Sequence, residues 1–231
     1  QITDGAASNT VGGAAAGARN IISGNTDGIL IQGVGTTSNL IKGNYIGTDA
    51  TGTLDLGNAV TGIFITNGAS SNTIGGLTAA ERNIISGNDD DGLKIEATAG
   101  SGNTVIGNYV GTDVTGNAPL PNGADGIAVA NGSKSNTLGQ AGSGNVLSGN
   151  ANDGLEIDDA SPINMIQGNI IGLGEDGTTP VPNGRHGIVL YNGPAGTKIG
   201  GSAVGEGNVI SANTTSGIVI DGNGGAATTN N

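Results

Sequence analysis

Three short phrases in this 231-residue chain set carboxylates and its single histidine where acid–base chemistry is possible: Asn25-Thr-Asp27, Asp89-Asp-Asp91 and Arg185-His-Gly187. Paired carboxylates can divide the work of general acid and general base, and a neighbouring His or Arg can carry a proton or neutralise an acidic substrate. A second set suits hard cations. Gly47-Thr-Asp49-Ala-Thr-Gly52 and Gly111-Thr-Asp113-Val-Thr-Gly116 offer a carboxylate, hydroxyls and carbonyls in a tight Gly-bounded loop. The equivalent loop Gly172-Leu-Gly-Glu-Asp176-Gly keeps the acid and loses the Thr. Calcium at Asp49, Asp113 and Asp176 is therefore the metal expectation, against the alternative that Asp and Thr make turns that satisfy themselves.

The elements that must position these residues follow from repetition. Asn20-Ile-Ile-Ser-Gly-Asn25 returns as Asn83-Ile-Ile-Ser-Gly-Asn88, Asn145-Val-Leu-Ser-Gly-Asn150 and Asn208-Val-Ile-Ser-Ala-Asn213, at intervals of 63, 62 and 63 residues. A fixed period of this kind is the signature of a stacked-repeat architecture. A second phrase, Gly-Ile-x-Ile, recurs at Gly28, Gly62, Gly92, Gly126, Gly154, Gly187 and Gly217, with intervals of 34, 30, 34, 28, 33 and 30 residues. The long period is thus two coils of unequal length. Within each coil, Gly-Ile-x-Ile and two Asn-x-Ile triplets alternate apolar residues as short strands do. Strands this short hold only if stacked coil on coil, about 4.8 Å apart, with like aliphatic residues in columns and Asn side chains bonded in ladders. Two Asn columns are expected, and almost no helix. The shorter coils carry an insertion between the second and third strands, and the longer coils carry one after the third.

With these phrases in view, the chain resembles a right-handed parallel β-helix of the pectate-lyase-like superfold along essentially its whole length. It is similar to the parallel β-helix repeat regions of large bacterial secreted or surface proteins, which carry comparable Asn-Ile-Ile-Ser-Gly-Asn and Asn-Tyr-Ile-Gly-Thr-Asp phrases. The expectation is one all-β domain over residues 1–231, about seven coils of three short strands each. Gln1 opens in mid-repeat, so the domain reads as a segment of a longer protein, with further repeats or domains of the parent chain as neighbours.

Glycosidases of the polygalacturonase type, which share that superfold, show an Asn-Thr-Asp phrase, an Asp-Asp pair and a Gly-His-Gly phrase in the order found here. The spacing departs from theirs. Asp27 and Asp91 occupy one repeat position and lie two coils apart, about 9–10 Å by strand spacing, instead of on neighbouring coils. His186 replaces the Asp or Thr of its column and is the clearest local break in the repeat. His186, Arg185 and Asp91 are the weak catalytic candidates, with Tyr191 beside the first two, and a second break falls at Asp158–Asp159. A lyase would need clustered basic residues, and the seven of this chain are dispersed.

Composition narrows the partners. Seven basic against nineteen acidic residues make nucleic acid and anionic membrane surfaces poor matches. No apolar run is long enough to insert in a membrane. An outward apolar stripe on the third strand (Ile21, Tyr45, Ile84, Tyr109, Val146, Ile170, Val209) calls for cover, with Leu54, Leu56, Leu120 and Val181 of the insertions at hand. The reading favoured is a non-catalytic extracellular solenoid, a stalk or an adhesion and carbohydrate-binding module. The alternative is a lyase or glycoside hydrolase acting on an acidic polysaccharide.

Overall fold

In the computed structural model, which describes residues 1–96, 101–158 and 161–222, the chain winds into a parallel β-solenoid. Three seven-stranded parallel sheets run its length, each strand pairing with its counterparts one coil before and after. Sheet one contains Ile29–Gln32, Ile63–Thr66, Leu93–Glu96, Ile127–Ala130, Leu155–Ile157, Ile188–Tyr191 and Ile218–Asp221. Sheet two runs from Thr10–Gly12 to Lys198–Ile199, and sheet three from Ile21–Ile22 to Val209–Ile210. Two single-turn 3-10 segments, Ala16–Ala18 and Ala79–Glu81, lie in the insertions between sheets two and three. Among the described residues no helix is long and apolar enough to cross a membrane.

Strands of two to four residues persist because every one of them contributes to the same core. The Gly-Ile-x-Ile glycines precede the strands, and both branched residues of each phrase point inward. Ile63, Ile65, Leu93, Ile95, Ile127, Val129, Leu155, Ile157, Ile188 and Leu190 are wholly buried. Ile46, Ile85, Val110, Leu147 and Ile171 form the matching column of sheet three. Each such side chain contributes roughly 1.5–3 kcal/mol by leaving water.

The corners hold polar groups that the core could not otherwise admit. Asn44 Nδ2 donates to Asn83 Oδ1 at 3.1 Å, Asn83 to Asn108 at 2.9 Å, and Asn108 to Asn145 at 3.1 Å. A second ladder climbs Asn39, Asn72, Asn103, Asn136 and Asn164 ahead of sheet two. A third, which the two expected columns did not include, climbs Asn25, Asn58, Asn88, Asn122, Asn150, Asn183 and Asn213 between sheets three and one. In the longer coils its members stand at the far end of an insertion, so their common register is not apparent from local spacing. The backbone N–H of an Asn donates to the same oxygen as its amide, as Asn103 does to Asn136 at 3.0 Å. Each buried Asn is thereby satisfied, which removes the penalty of burying it.

The middle of the apolar stripe on sheet three is covered, while Ile21 and Val209 at its ends stay exposed; of the expected cover, Leu120 and Val181 are buried. Tyr45, Ile84, Tyr109 and Val146 form a second buried cluster, packed by Val114 and Ile170. Leu54 and Leu56 stay exposed, while Arg19 and Arg82 lie on the rings of Tyr45 and Tyr109 at 4.0 and 3.8 Å. Of the loop residues at this position, Val114 packs against the tyrosine cluster, while its counterparts Ala50 and Glu175 are exposed.

Candidate functional site

Outward positions of sheet one alternate with the core residues, and register fixes which of them adjoin. One outward column reads Phe64, Lys94, Ala128, Glu156, Val189, Val219, and the next Thr66, Glu96, Ala130, with Tyr191 opposite Asp221 at its far end. Immediately before the strand lies a ladder of acids. Asp125 N–H donates to Asp91 Oδ1 at 3.1 Å, Asp153 N–H to Asp125 Oδ1 at 2.8 Å, and His186 N–H to Asp153 Oδ1 at 2.7 Å. Asp27 meets Thr61 in the same way at 3.4 Å. The aspartates before Gly-Ile-x-Ile are thus backbone clamps from coil to coil.

These clamps concentrate charge. One carboxylate oxygen from each of Asp125, Asp153 and Glu156 lies within 4.8 Å of the others, and both aspartates are buried. Burial raises Asp125 to about 8, with Glu156, Asp91 and Asp153 adding repulsion and the Asp153 N–H opposing it. Burial also raises Glu156, offset by hydrogen bonds from the Tyr191 hydroxyl and from Asp125. The Tyr191 hydroxyl donates to Glu156 Oε1 at 3.2 Å, and burial and then the Glu156 and Asp158 charges push its own pKa up. Asp125 and Glu156 are both pushed toward their neutral forms, burial being the chief cause in each. Asp91, two steps along the column from Asp153, is raised by burial and then by Asp90, against the Asp125 N–H and Lys94.

Beside this cluster opens a cleft of about 390 Å³, lined by Asp153, Arg185, His186, Tyr191, Asn192 and Asp221 over Val189 and Val219. That is a volume suited to a small organic ligand, with apolar floor and polar rim. Arg185 Nη1 stands 3.5 Å from Asp153 Oδ2, and His186 Nδ1 lies 2.7 Å from Thr215 Oγ1. Two of the three catalytic candidates, Arg185 and His186, are brought together with Tyr191; Asp91 lies outside the cleft. The repeat departs from its pattern here because His186 stands where other coils present Asp or Thr, and Arg185 and Tyr191 stand where they present smaller or acidic side chains such as Ala124, Asn152, Thr66 and Glu96. Asp125, Asp153 and Glu156 escaped sequence reasoning because the first two follow the repeat, and Glu156 is visible only as an acid on an outward strand position. Of the second break, Asp158 ends beside Tyr191, and Asp159 lies outside the described residues.

The calcium candidates are not brought together. Asp49 accepts from the Thr51 hydroxyl and the Thr53 and Leu54 N–H groups, which hold its carboxyl well below the usual range. Asp113 accepts from Thr115, and Asp176 from Thr178 and Thr179. Each carboxylate is occupied by its own loop, and the loops stack on one another, Val114 N–H donating to Gly52 O at 2.9 Å and Glu175 N–H to Gly116 O at 3.0 Å. Among the described residues, the carboxylates that converge as cation ligands would are Asp125, Asp153 and Glu156.

Compared with family models, with curated proteins and with solved structures, the chain matches none.

Proposed function

We propose that this chain is an extracellular solenoid module, a rigid stalk or adhesion element that binds carbohydrate at the cleft around Arg185, His186 and Tyr191. The observation that carries the reading is the location of that cleft. The repeat is kept along the sheets and departs from pattern on one outer face, where an apolar floor of Val189 and Val219 meets a rim of Arg, His, Tyr, Asn and Asp. Stacked aliphatic columns and three Asn ladders supply the stiffness a stalk requires. Arg185 can hold a uronate carboxylate in a bidentate fork, and sugar hydroxyls match the mixed donors and acceptors of the rim.

A second reading is favoured by one feature, the pair Asp125 and Glu156. A carboxyl that burial raises above its ordinary pKa, close to a second carboxyl, is a group from which a glycoside hydrolase can draw its general acid. The same experiment separates the two. Wild-type protein is incubated with uronic-acid and neutral polysaccharides, following affinity by gel retardation, new reducing ends, and ultraviolet absorbance from unsaturated product. Retardation without turnover, weakened by Arg185→Ala, is the expected result. Turnover lost in Glu156→Gln would establish the enzyme instead, and neither retardation nor turnover would refute both.

A further inference from the structure

On the opposite flank, against sheet three, lies a small cleft of about 100 Å³ lined by Arg19, Tyr45, Ala79, Arg82, Ile84 and Val114. Two guanidiniums share it. Arg19 stacks on Tyr45 at 4.0 Å, and Arg82 stacks on Tyr109 at 3.8 Å while its Nε–H donates to the Gly107 carbonyl at 3.3 Å. Stacking orients a guanidinium and leaves the outer edge of its fork free to donate. The protein carries a formal charge of −12, yet among the described residues neither arginine forms an ion pair within 4.0 Å, the nearby Glu175 and Asp113 acting on Tyr109 from beyond that distance of Arg82, whereas Lys42, Lys94 and Arg185 each form one. Two like charges facing one cleft repel, and the apolar floor of Ile84 and Val114 strengthens that repulsion by lowering the local dielectric. A negative group between them reverses the sign of the interaction.

We propose that this cleft binds an oxyanion, a sulfate, phosphate or carboxylate group, between the guanidiniums of Arg19 and Arg82. A cleft of this size admits one such group. The ring or chain bearing the group would lie outside, along the flank. The third repetition of these coils has Gly144 and Ile170 where the first two have Arg and Tyr, so the site is confined to one end of the solenoid. It is separate from the sheet-one cleft and stands or falls without it.

The test titrates sodium sulfate, sodium phosphate and sodium acetate into the protein at constant ionic strength, following tyrosine fluorescence and the arginine Nε–H resonances. Saturable binding is expected, weakened about tenfold or more by Arg19→Gln or Arg82→Gln and unchanged by Arg185→Gln. Arg19 is exposed, so its variant is expected to keep the wild-type circular dichroism and melting temperature. Sulfated dextran, polygalacturonate and vesicles of phosphatidylserine then show which larger molecule presents the group, each scored by its dependence on Arg19 and Arg82. Absence of saturable binding by all three salts overturns the proposal and leaves the arginines as covers for Tyr45 and Tyr109. So does binding that survives both substitutions or is lost with Arg185→Gln.

Discussion

The backbone N–H of His186 donates to Asp153 Oδ1 at 2.7 Å, the same contact that elsewhere in that column joins one aspartate to the next. The only histidine of the chain therefore keeps the backbone role of its predecessors while its ring is released into the cleft, where Nδ1 meets Thr215 Oγ1. An imidazole is added to the cleft without breaking the clamp beneath it.

That arrangement makes Asp153→Asn informative. The amide oxygen still accepts from His186, so the expected change in stability is within about 1 kcal/mol, the range of a single hydrogen bond. The lost charge removes one cause of the raised Asp125 value. Carbon-13 NMR of the Asp125 carboxyl is expected to show a lower pKa than in wild type; an unchanged or higher value would contradict the assigned coupling.

The acid cluster also fixes a pH dependence. Asp125 and Glu156 are raised in the folded state above the ordinary carboxylate value near 4. The folded protein thus binds more protons than the unfolded chain between that value and about 8, and stability falls as pH rises through this window. Thermal melts from pH 4 to pH 8, compared with those of Asp125→Asn, check the sign. The variant is expected to flatten the decline, and a wild-type midpoint that climbs with pH would refute it.

The third Asn ladder is expected to matter most at its middle. Asn88 accepts from Asn58 at 2.8 Å and donates to Asn122 at 2.9 Å, with all three buried. Replacing it by Ala takes the acceptor from the Asn58 amide and backbone N–H, while Asn122 Oδ1 keeps the backbone N–H of residue 88, so the expected cost is about 1–3 kcal/mol by urea unfolding. Asn25→Ala, at the exposed start of the ladder, is expected to cost under about 1 kcal/mol.

Close stacking sets the glycine requirement. Gly111 has φ +88°, and a Cβ there would overlap Asn150 Oδ1 and the Ser148 carbonyl of the next coil. Gly132 has φ +77° with nothing near a Cβ. Gly111→Ala is expected to cost about 3–5 kcal/mol, strain and overlap together, and Gly132→Ala only the 1–2 kcal/mol or so of the left-handed conformation. Equal losses in the two variants, measured by urea unfolding, would show that overlap is not the larger part.

Much was legible in the order of residues because a solenoid is nearly one-dimensional: contacts run between equivalent positions of adjacent coils, so period and alternation alone yield the sheets, the aliphatic columns and two ladders. The break at Arg185, His186 and Tyr191 was legible too, as a departure from the pattern it interrupts. The third ladder was not, because insertions of unequal length separate Asn58, Asn122 and Asn183 from the local phrases that mark the other two. Leu54 and Leu56 read as cover for the stripe, yet they stay exposed, and Val114 of the equivalent loop two coils on packs against the cluster instead.

Residue order by itself thus determined the coil, its three strands and the face on which each side chain lies, since a period of two along the strand and a fixed period between coils leave no freedom in those assignments. Only the tertiary structure decided that Asp125, Asp153 and Glu156 share one buried patch, that the loop acids spend their oxygens on their own turns, and that Arg19 and Arg82 face one cleft. Those outcomes depend on burial and on the reach of side chains from different coils, and electrostatic energies change severalfold with the depth at which such groups meet.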